Sequence, residues 1–293
     1  MISTHSGLVL LNKPKGITSF RVLGSLKKNI NSRKVGHTGT LDKFAEGLML
    51  VLTGKMTKLA PFFTNMDKEY KAVFKFGVET DTLDPEGKVI FTAALPSLEE
   101  INNQIKKFTG NIMQVPPDFS AIHVNGERAY KLAAKGKKPL LKERPVSVYN
   151  FEVENWEPPH LYVKVNCSKG TYIRSLARDL GRAVSSRAYV CELQRTKVGV
   201  WNIENSVLPE NIDPDKDIFS GKDLFKQITS INTYDVNSIQ AEKILNGFPI
   251  IRWMEKGNIL LNGYTAIFNN NNFLALVLKE DDNLLYKFVQ DRT

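Results

Sequence analysis

Gly36-His37-Thr38-Gly39-Thr40-Leu41-Asp42 is followed at once by Ala45-Glu46-Gly47-Leu48-Met49-Leu50-Val51-Leu52, and the two stretches decide how the chain is read. The apolar run, closed by Thr53-Gly54, predicts a buried strand, so the loop before it is pinned to the core. Two glycines let that loop bend and approach a ligand closely. Asp42 ends it as a lone carboxylate, a placement that suits catalysis. An Asx-turn, with Asp42 capping local amides, fits the same spacing, and both readings stay open at this point.

The chain of 293 residues, 42% of them hydrophobic, allows one large domain and a small one, each with a real core. Its longest apolar runs, such as 273–278, are too short to cross a bilayer, and residues 1–7 lack the basic start and apolar stretch of a signal peptide. A cytoplasmic protein is expected. Cys167, Cys191 and four histidines form no CxxC, HxxH or HExxH spacing, which indicates neither a zinc site nor a thiol catalyst. The formal charge of +9 favours a polyanionic partner. After residue 230 there are six Lys/Arg and seven Asp/Glu, so the whole excess lies in the larger part.

Leu8 to Leu11 reads as a strand, and Thr18 or Ser19 can cap a helix with Val22, Leu23, Leu26 and Ile30 on one face. A short helix is predicted over 58–66, then a strand from Tyr70 with Ala72, Phe74 and Phe76 inward. Asp84-Pro85-Glu86-Gly87 is a turn, and Ser97-Leu98-Glu99-Glu100 is a capping box opening a scaffold helix. Residues 116–148 form a basic excursion that fits a solvated surface segment or a nucleic-acid clamp. Leu161, Val163, Val165 and Cys167 alternate as a strand, and Ser168-Lys169-Gly170-Thr171 leads into a helix with Arg174 in its first turn. A cation there opposes the helix dipole by roughly 0.3–1 kcal/mol, which calls for an anionic partner or a tolerated small cost. Residues 205–233 read as a linker, and strand-like segments at 258–261, 265–268, 273–278 and 284–289 read as a small β-barrel.

Leu11-Asn12-Lys13-Pro14-Lys15-Gly16-Ile17-Thr18-Ser19, the Gly36–Asp42 loop, Asp67-Lys68-Glu69-Tyr70, Thr80-Asp81-Thr82-Leu83-Asp84 and Ser168-Lys169-Gly170-Thr171-Tyr172-Ile173-Arg174, in that order, resemble the TruB family of bacterial tRNA pseudouridine-55 synthases. The resemblance implies an α+β fold with a mixed, largely antiparallel sheet. It implies a catalytic domain over 1–230, a thumb insertion at 116–148 and a small PUA-like RNA-binding domain at 231–293. The expected reaction converts the tRNA T-loop uridine to pseudouridine with no metal or organic cofactor, in a monomeric enzyme working outside membranes. Asp42 would be the nucleophile, Tyr70 would stack on the flipped base, and Arg174 would pair with Asp42. His37, Lys13, Lys58, Tyr172 and the thumb residues Arg128, Lys131, Lys135, Lys137 and Lys138 would contact RNA. Many family members have Pro after the aspartate, where this chain has Lys43. The rival readings are a catalytically idle RNA-binding protein or tRNA-folding chaperone, a P-loop phosphotransferase and a guide-RNA-dependent pseudouridylase. Gly54-Lys55 lacks the upstream glycine and the following Ser/Thr that a P-loop needs.

Overall fold

Strands β1 (Leu8–Lys13), β2 (Val35–His37) and β3 (Glu46–Thr53) come first, and β3 pairs antiparallel with both of the others. The computed structural model describes residues 6–290 except 31, 33, 125, 251–261 and 282. β3 is buried along almost its whole length because both faces are covered. Met49 and Val51, with Val9 and Leu11 of β1, face the helices, while Leu48, Leu50 and Leu52, with Leu8 and Leu10, pack toward the C-terminal sheet. An apolar run without alternation is the sequence signature of that burial. The helix α1 (Ser19–Asn29) is capped by Thr18, whose hydroxyl accepts from the Arg21 N–H, and buries Val22, Leu23 and Leu26.

The predicted helix over 58–66 is two shorter pieces, a 3-10 turn (Gly54–Leu59) and α2 (Ala60–Thr64). Pro61 lies in the first turn of α2, where its missing N–H removes nothing, so it starts a helix rather than continuing one. Next come β4 (Lys68–Phe76), the hairpin β5 (Val78–Thr80) and β6 (Val89–Thr92), α3 (Leu98–Ile105) with its capping box, and β7 (Gly110–Gln114). The basic excursion leaves the sheet after β7. It holds a minimal hairpin, β8 (His123–Val124) with β9 (Glu127–Arg128), and α4 (Ala129–Ala134). It ends earlier than the expected residue 148, because β10 (Arg144–Glu157) already begins at Arg144 and pairs with β7, burying Val146 and Val148.

β11 (His160–Cys167), α5 (Ile173–Ala183) and β12 (Ala188–Val198) complete the frame, with β13 (Trp201–Asn202) paired to β12. The expected linker is more ordered than its composition suggests. α6 (Pro214–Asp217) leads to β14 (Ile218–Phe219), which extends the sheet beside β1, and α7 (Lys222–Lys226) buries Leu224 and Phe225. Elements this short leave no period in a sequence. The main sheet runs β14-β1-β3-β12-β4-β11-β10-β7, antiparallel except where β12 meets β3. It is the mixed, largely antiparallel α+β sheet expected.

At the C-terminal end β15 (Ile231–Asp235) runs parallel to β16 (Gly263–Asn269), and α8 (Ser238–Leu245) lies in the connection that such a pair requires. β17 (Asn272–Glu280) and β18 (Asn283–Val289) follow antiparallel. Among the described residues this is an open sheet in the order β15-β16-β17-β18 rather than a closed barrel, and the strand expected at 258–261 lies outside them. Phe225 of α7 packs 5.3 Å from Phe268 and 4.5 Å from Phe273, within the apolar cluster that also holds Leu8, Leu50 and Phe63. The small sheet thus shares a core with the large one. Phe225→Ala should lower stability by about 3–5 kcal/mol, read as an earlier midpoint in urea unfolding.

Candidate active site

Lys13 is the first surprise, because its ammonium is wholly enclosed. Nζ donates to the carbonyls of Pro14 at 3.0 Å, Ile17 at 2.8 Å and Lys43 at 3.4 Å, and the Gly16 N–H also donates to Lys43. Lys13 is therefore no phosphate ligand: it ties the first turn of the chain to the residue after Asp42. Burial pulls its pKa down to about 8. Ser19 fastens the same loop by accepting from the Leu41 N–H and donating to the Leu41 carbonyl, both at 2.9 Å. With Leu41, Phe44 and Ala45 buried, Asp42 projects from a loop anchored on either side.

The Asx-turn reading of Asp42 lapses, since among the described residues its carboxylate meets a guanidinium and no backbone amide. Arg174 Nη2 donates to Oδ1 at 3.1 Å. Its Nε lies 2.8 Å from Oδ2, close enough for a strong ion pair although its N–H is not aimed for a hydrogen bond. Arg174 is 4% exposed at its side chain and Asp42 35%, so the arginine is sealed beneath while the carboxylate opens outward. Arg174 is the second residue of α5, and the anion its helix position called for is doubly present. Asp84 Oδ2 stands 3.4 Å from Nη1, which also donates to the Thr82 carbonyl at 2.8 Å, and Nη2 donates to the Phe119 carbonyl at 3.0 Å.

Asp84 was legible as a turn residue and as the end of a family motif, with no role assigned to it, yet it is a buried carboxylate. Burial raises its pKa, against hydrogen bonds from the Thr82 hydroxyl at 2.6 Å and the Glu86 N–H at 3.0 Å and the charge of Arg174. The departure at Lys43 joins the same corner, since its Nζ lies 2.6 Å from Glu86 on the surface. Gln114 is a further residue the sequence did not flag. Fully buried, it accepts from the Tyr172 N–H at 2.8 Å and donates to the Tyr172 carbonyl at 3.1 Å, locking the entry of α5. Ser175 and Arg178 both donate to the Val115 carbonyl at 2.8 Å, so α5 carries Arg174 and grips the base of the basic excursion.

Tyr70 lies opposite Arg195 on β12 and is nearly enclosed; burial pushes its hydroxyl pKa up, and the nearby Arg195 guanidinium pulls the other way. His37 closes β2, and burial, then Arg195, lowers its pKa; its Nδ1 has no hydrogen-bond partner among the described residues. Tyr172 carries the Arg144 guanidinium 5.0 Å above its ring. Arg128, Lys131, Lys135, Lys137 and Lys138 are exposed on the thumb, Lys135 paired with Glu127 at 2.6 Å. Lys58 stands apart, exposed, with Nζ 5.3 Å from the Phe288 ring where the small sheet meets the 3-10 turn. A cleft of about 580 Å³ between Asp67-Lys68-Glu69 and residues 227–230 includes none of Asp42, Tyr70 and Arg174. Among the described residues no group of three or more His, Cys, Asp or Glu is placed to hold a metal ion.

The TruB family pseudouridylate synthase (N terminal domain) profile matches residues 27–173, half of the chain, including Asp42, Tyr70 and Asp84. The chain belongs to the TruB family. It is 50% identical over 282 residues to tRNA pseudouridine synthase B of Borreliella burgdorferi (strain ZS7), covering 94% of this chain and 93% of that one. With the enzyme of that name from Clostridium tetani (strain Massachusetts / E88) it shares 37% identity over 273 residues, covering 92% and 94%. A solved Cbf5-Nop10-Gar1 complex matches with a TM-score of 0.65 at 23% identity, covering 98% of this chain and 84% of that one, and so shares the fold. The lysine buried beside the Asp42 loop is satisfied there by three carbonyls.

Because the Lys13 pKa is about 8 in the fold and 10.5 ordinarily, the unfolded chain holds the proton through that interval and the folded one releases it. Stability contributed by Lys13 therefore rises with pH across the window. Lys13→Met should destabilise the protein at neutral pH by leaving carbonyls unpaired, and the gap to the parent should widen as pH climbs from about 8 toward 10.5, read by urea unfolding at each pH.

Proposed function

We propose that this TruB family protein converts uridine 55 in the T loop of tRNA to pseudouridine, in the cytoplasm. The observation that carries the reading is the Asp42–Arg174 pair, an outward-facing carboxylate held side-on by a buried arginine. The reaction breaks the C1′–N1 bond, turns the retained uracil and joins C5 to C1′, while the C5 proton is lost and N1 gains one. Attack on C1′, attack on C6 and removal of the C2′ proton all begin at one carboxylate, and Asp42 is placed for that role. Arg174 pairs with it and keeps it aimed, and Asp84 supplies the second negative charge that a buried guanidinium needs. An idle RNA-binding protein would have no use for this arrangement.

The target base must leave the folded loop to reach Asp42, where the Tyr70 ring would stack on it, and His37 would occupy space near the vacated stack. The thumb, comprising the exposed residues Arg128, Lys131, Lys135, Lys137 and Lys138, would hold phosphates and so position the RNA without reading its sequence. Tyr172, braced by Arg144 and Gln114, stands where the thumb base meets the site and would contact the loop. The C-terminal sheet, with Lys58 at its junction, serves in this reading as a small PUA-like RNA-binding domain from about Ile231, next to a catalytic domain over 1–230. The enzyme works as a monomer on the T stem-loop.

Asp42→Asn should lower turnover by on the order of 10⁴-fold or more with tRNA binding near that of the parent. Mapping pseudouridine in transcribed tRNA incubated with pure protein checks this; modification anywhere other than position 55 would overturn the assignment of the site in the RNA. Replacing Lys135, Lys137 and Lys138 together by Ala should weaken tRNA binding and flatten log K against log[salt] by up to about three units. The single-turnover rate at saturating protein should change less than the affinity, because these side chains do not reach the uracil.

A further inference from the structure

Arg195 sits at the centre of the main sheet, 2% exposed, and no carboxylate lies within ion-pair distance of it among the described residues. A buried cation without a counter-charge is costly, and a hydrophobic residue would fill the same space at less expense. Its contacts show where the charge acts. Nε donates to the Leu48 carbonyl at 2.7 Å, which anchors the guanidinium on β3, and Nη2 donates to the Gly39 carbonyl at 3.2 Å. Gly39 belongs to the loop that ends in Asp42.

The register places the same residue against the other half of the site. Arg195 is the direct cross-strand partner of Tyr70, so their side chains leave the sheet on one face. On its other side β12 is drawn unusually close to β3. A Cβ on Gly47 would lie 2.5 Å from the Arg195 carbonyl oxygen, and Gly47 has a φ of +108°. That close approach fixes the height at which the guanidinium enters the site.

We propose that Arg195 is a positioning residue for the isomerisation, joining the Tyr70 hydroxyl and the Gly39 carbonyl into one rigid frame. Tyrosine and nucleophile then keep a fixed separation while the uracil detaches and turns. Burial outweighs the guanidinium's pull on the Tyr70 hydroxyl, so the phenol stays neutral beside it. This rests on the reading of Tyr70 given above.

Arg195→Met removes the charge at similar length, and Arg195→Lys keeps it on a side chain that cannot reach both partners at once. With saturating protein and tRNA, Arg195→Met should slow the single-turnover rate by on the order of 10²-fold while tRNA affinity stays within about threefold, and Arg195→Lys should fall between. In a Tyr70→Phe background the same Arg195→Met change should cost about tenfold less, because the hydroxyl it acts on is gone. Should Arg195→Met fail to fold, as judged by circular dichroism and thermal midpoint, Arg195→Lys in the two backgrounds carries the same comparison. Equal losses in both backgrounds would overturn the proposal and leave Tyr70 in place, as would a rate unchanged by either replacement. A Tyr70→Phe enzyme as fast as the parent would show that the hydroxyl does no work and would overturn the proposal, while leaving the stacking role of the Tyr70 ring in place.

Discussion

A single guanidinium, that of Arg174, is the constraint around which the site is assembled. It is buried at the start of a helix whose dipole disfavours it, so it must be compensated, and Asp42 and Asp84 together with the Thr82 and Phe119 carbonyls do so. Those four partners come from three separate segments: the Asp42 loop, the turn after β5 and the base of the thumb. Satisfying one cation therefore brings Asp42, Asp84 and the base of the basic excursion into register. Removing any partner leaves charge uncompensated in a site shielded from water, where such an imbalance is most expensive.

Asp42 is held by a second set of bonds that involve no charge pairing. Lys13 and Ser19 secure the backbone on either side of it through carbonyls and an amide, and the apolar flanks Leu41, Phe44 and Ala45 are in the core. The carboxylate itself stays open. The role proposed for Asp42 needs both properties: a fixed origin, so that attack geometry is set before substrate arrives, and an unobstructed face. The glycine at 39 serves the same end, since its carbonyl is available to Arg195 across the loop.

The division of the molecule into a catalytic part and a C-terminal sheet is real in topology and incomplete in packing. β3 buries one row of side chains under helices and the alternate row toward Phe225, Phe268 and Phe273. The strand that anchors the catalytic loop is thus stabilised from the C-terminal side as well. The basic excursion is the opposite case, attached at its base by α5 and by the β7–β10 pair, with Arg128, Lys131, Lys135, Lys137 and Lys138 exposed.

The sequence by itself determined the elements whose signals are local. The capping box at Ser97, the alternation of Leu161 to Cys167, the Thr18 cap and the buried run of β3 all rest on neighbours within a few residues, and each is present. It also marked Asp42, Tyr70 and Arg174, because a motif order and an electrostatic oddity at a helix start are both visible in one dimension. What it left to the tertiary structure depends on residues far apart in the chain. Lys13 reads as a surface cation until three carbonyls, one from Lys43, close over it. Asp84 reads as a turn residue until Arg174 arrives beneath it, and Arg195 as an ordinary strand residue until cross-strand register sets it against Tyr70. Burial and pairing of charge are properties of the folded neighbourhood, so only the fold could decide which charged side chains meet solvent and which hold the site together.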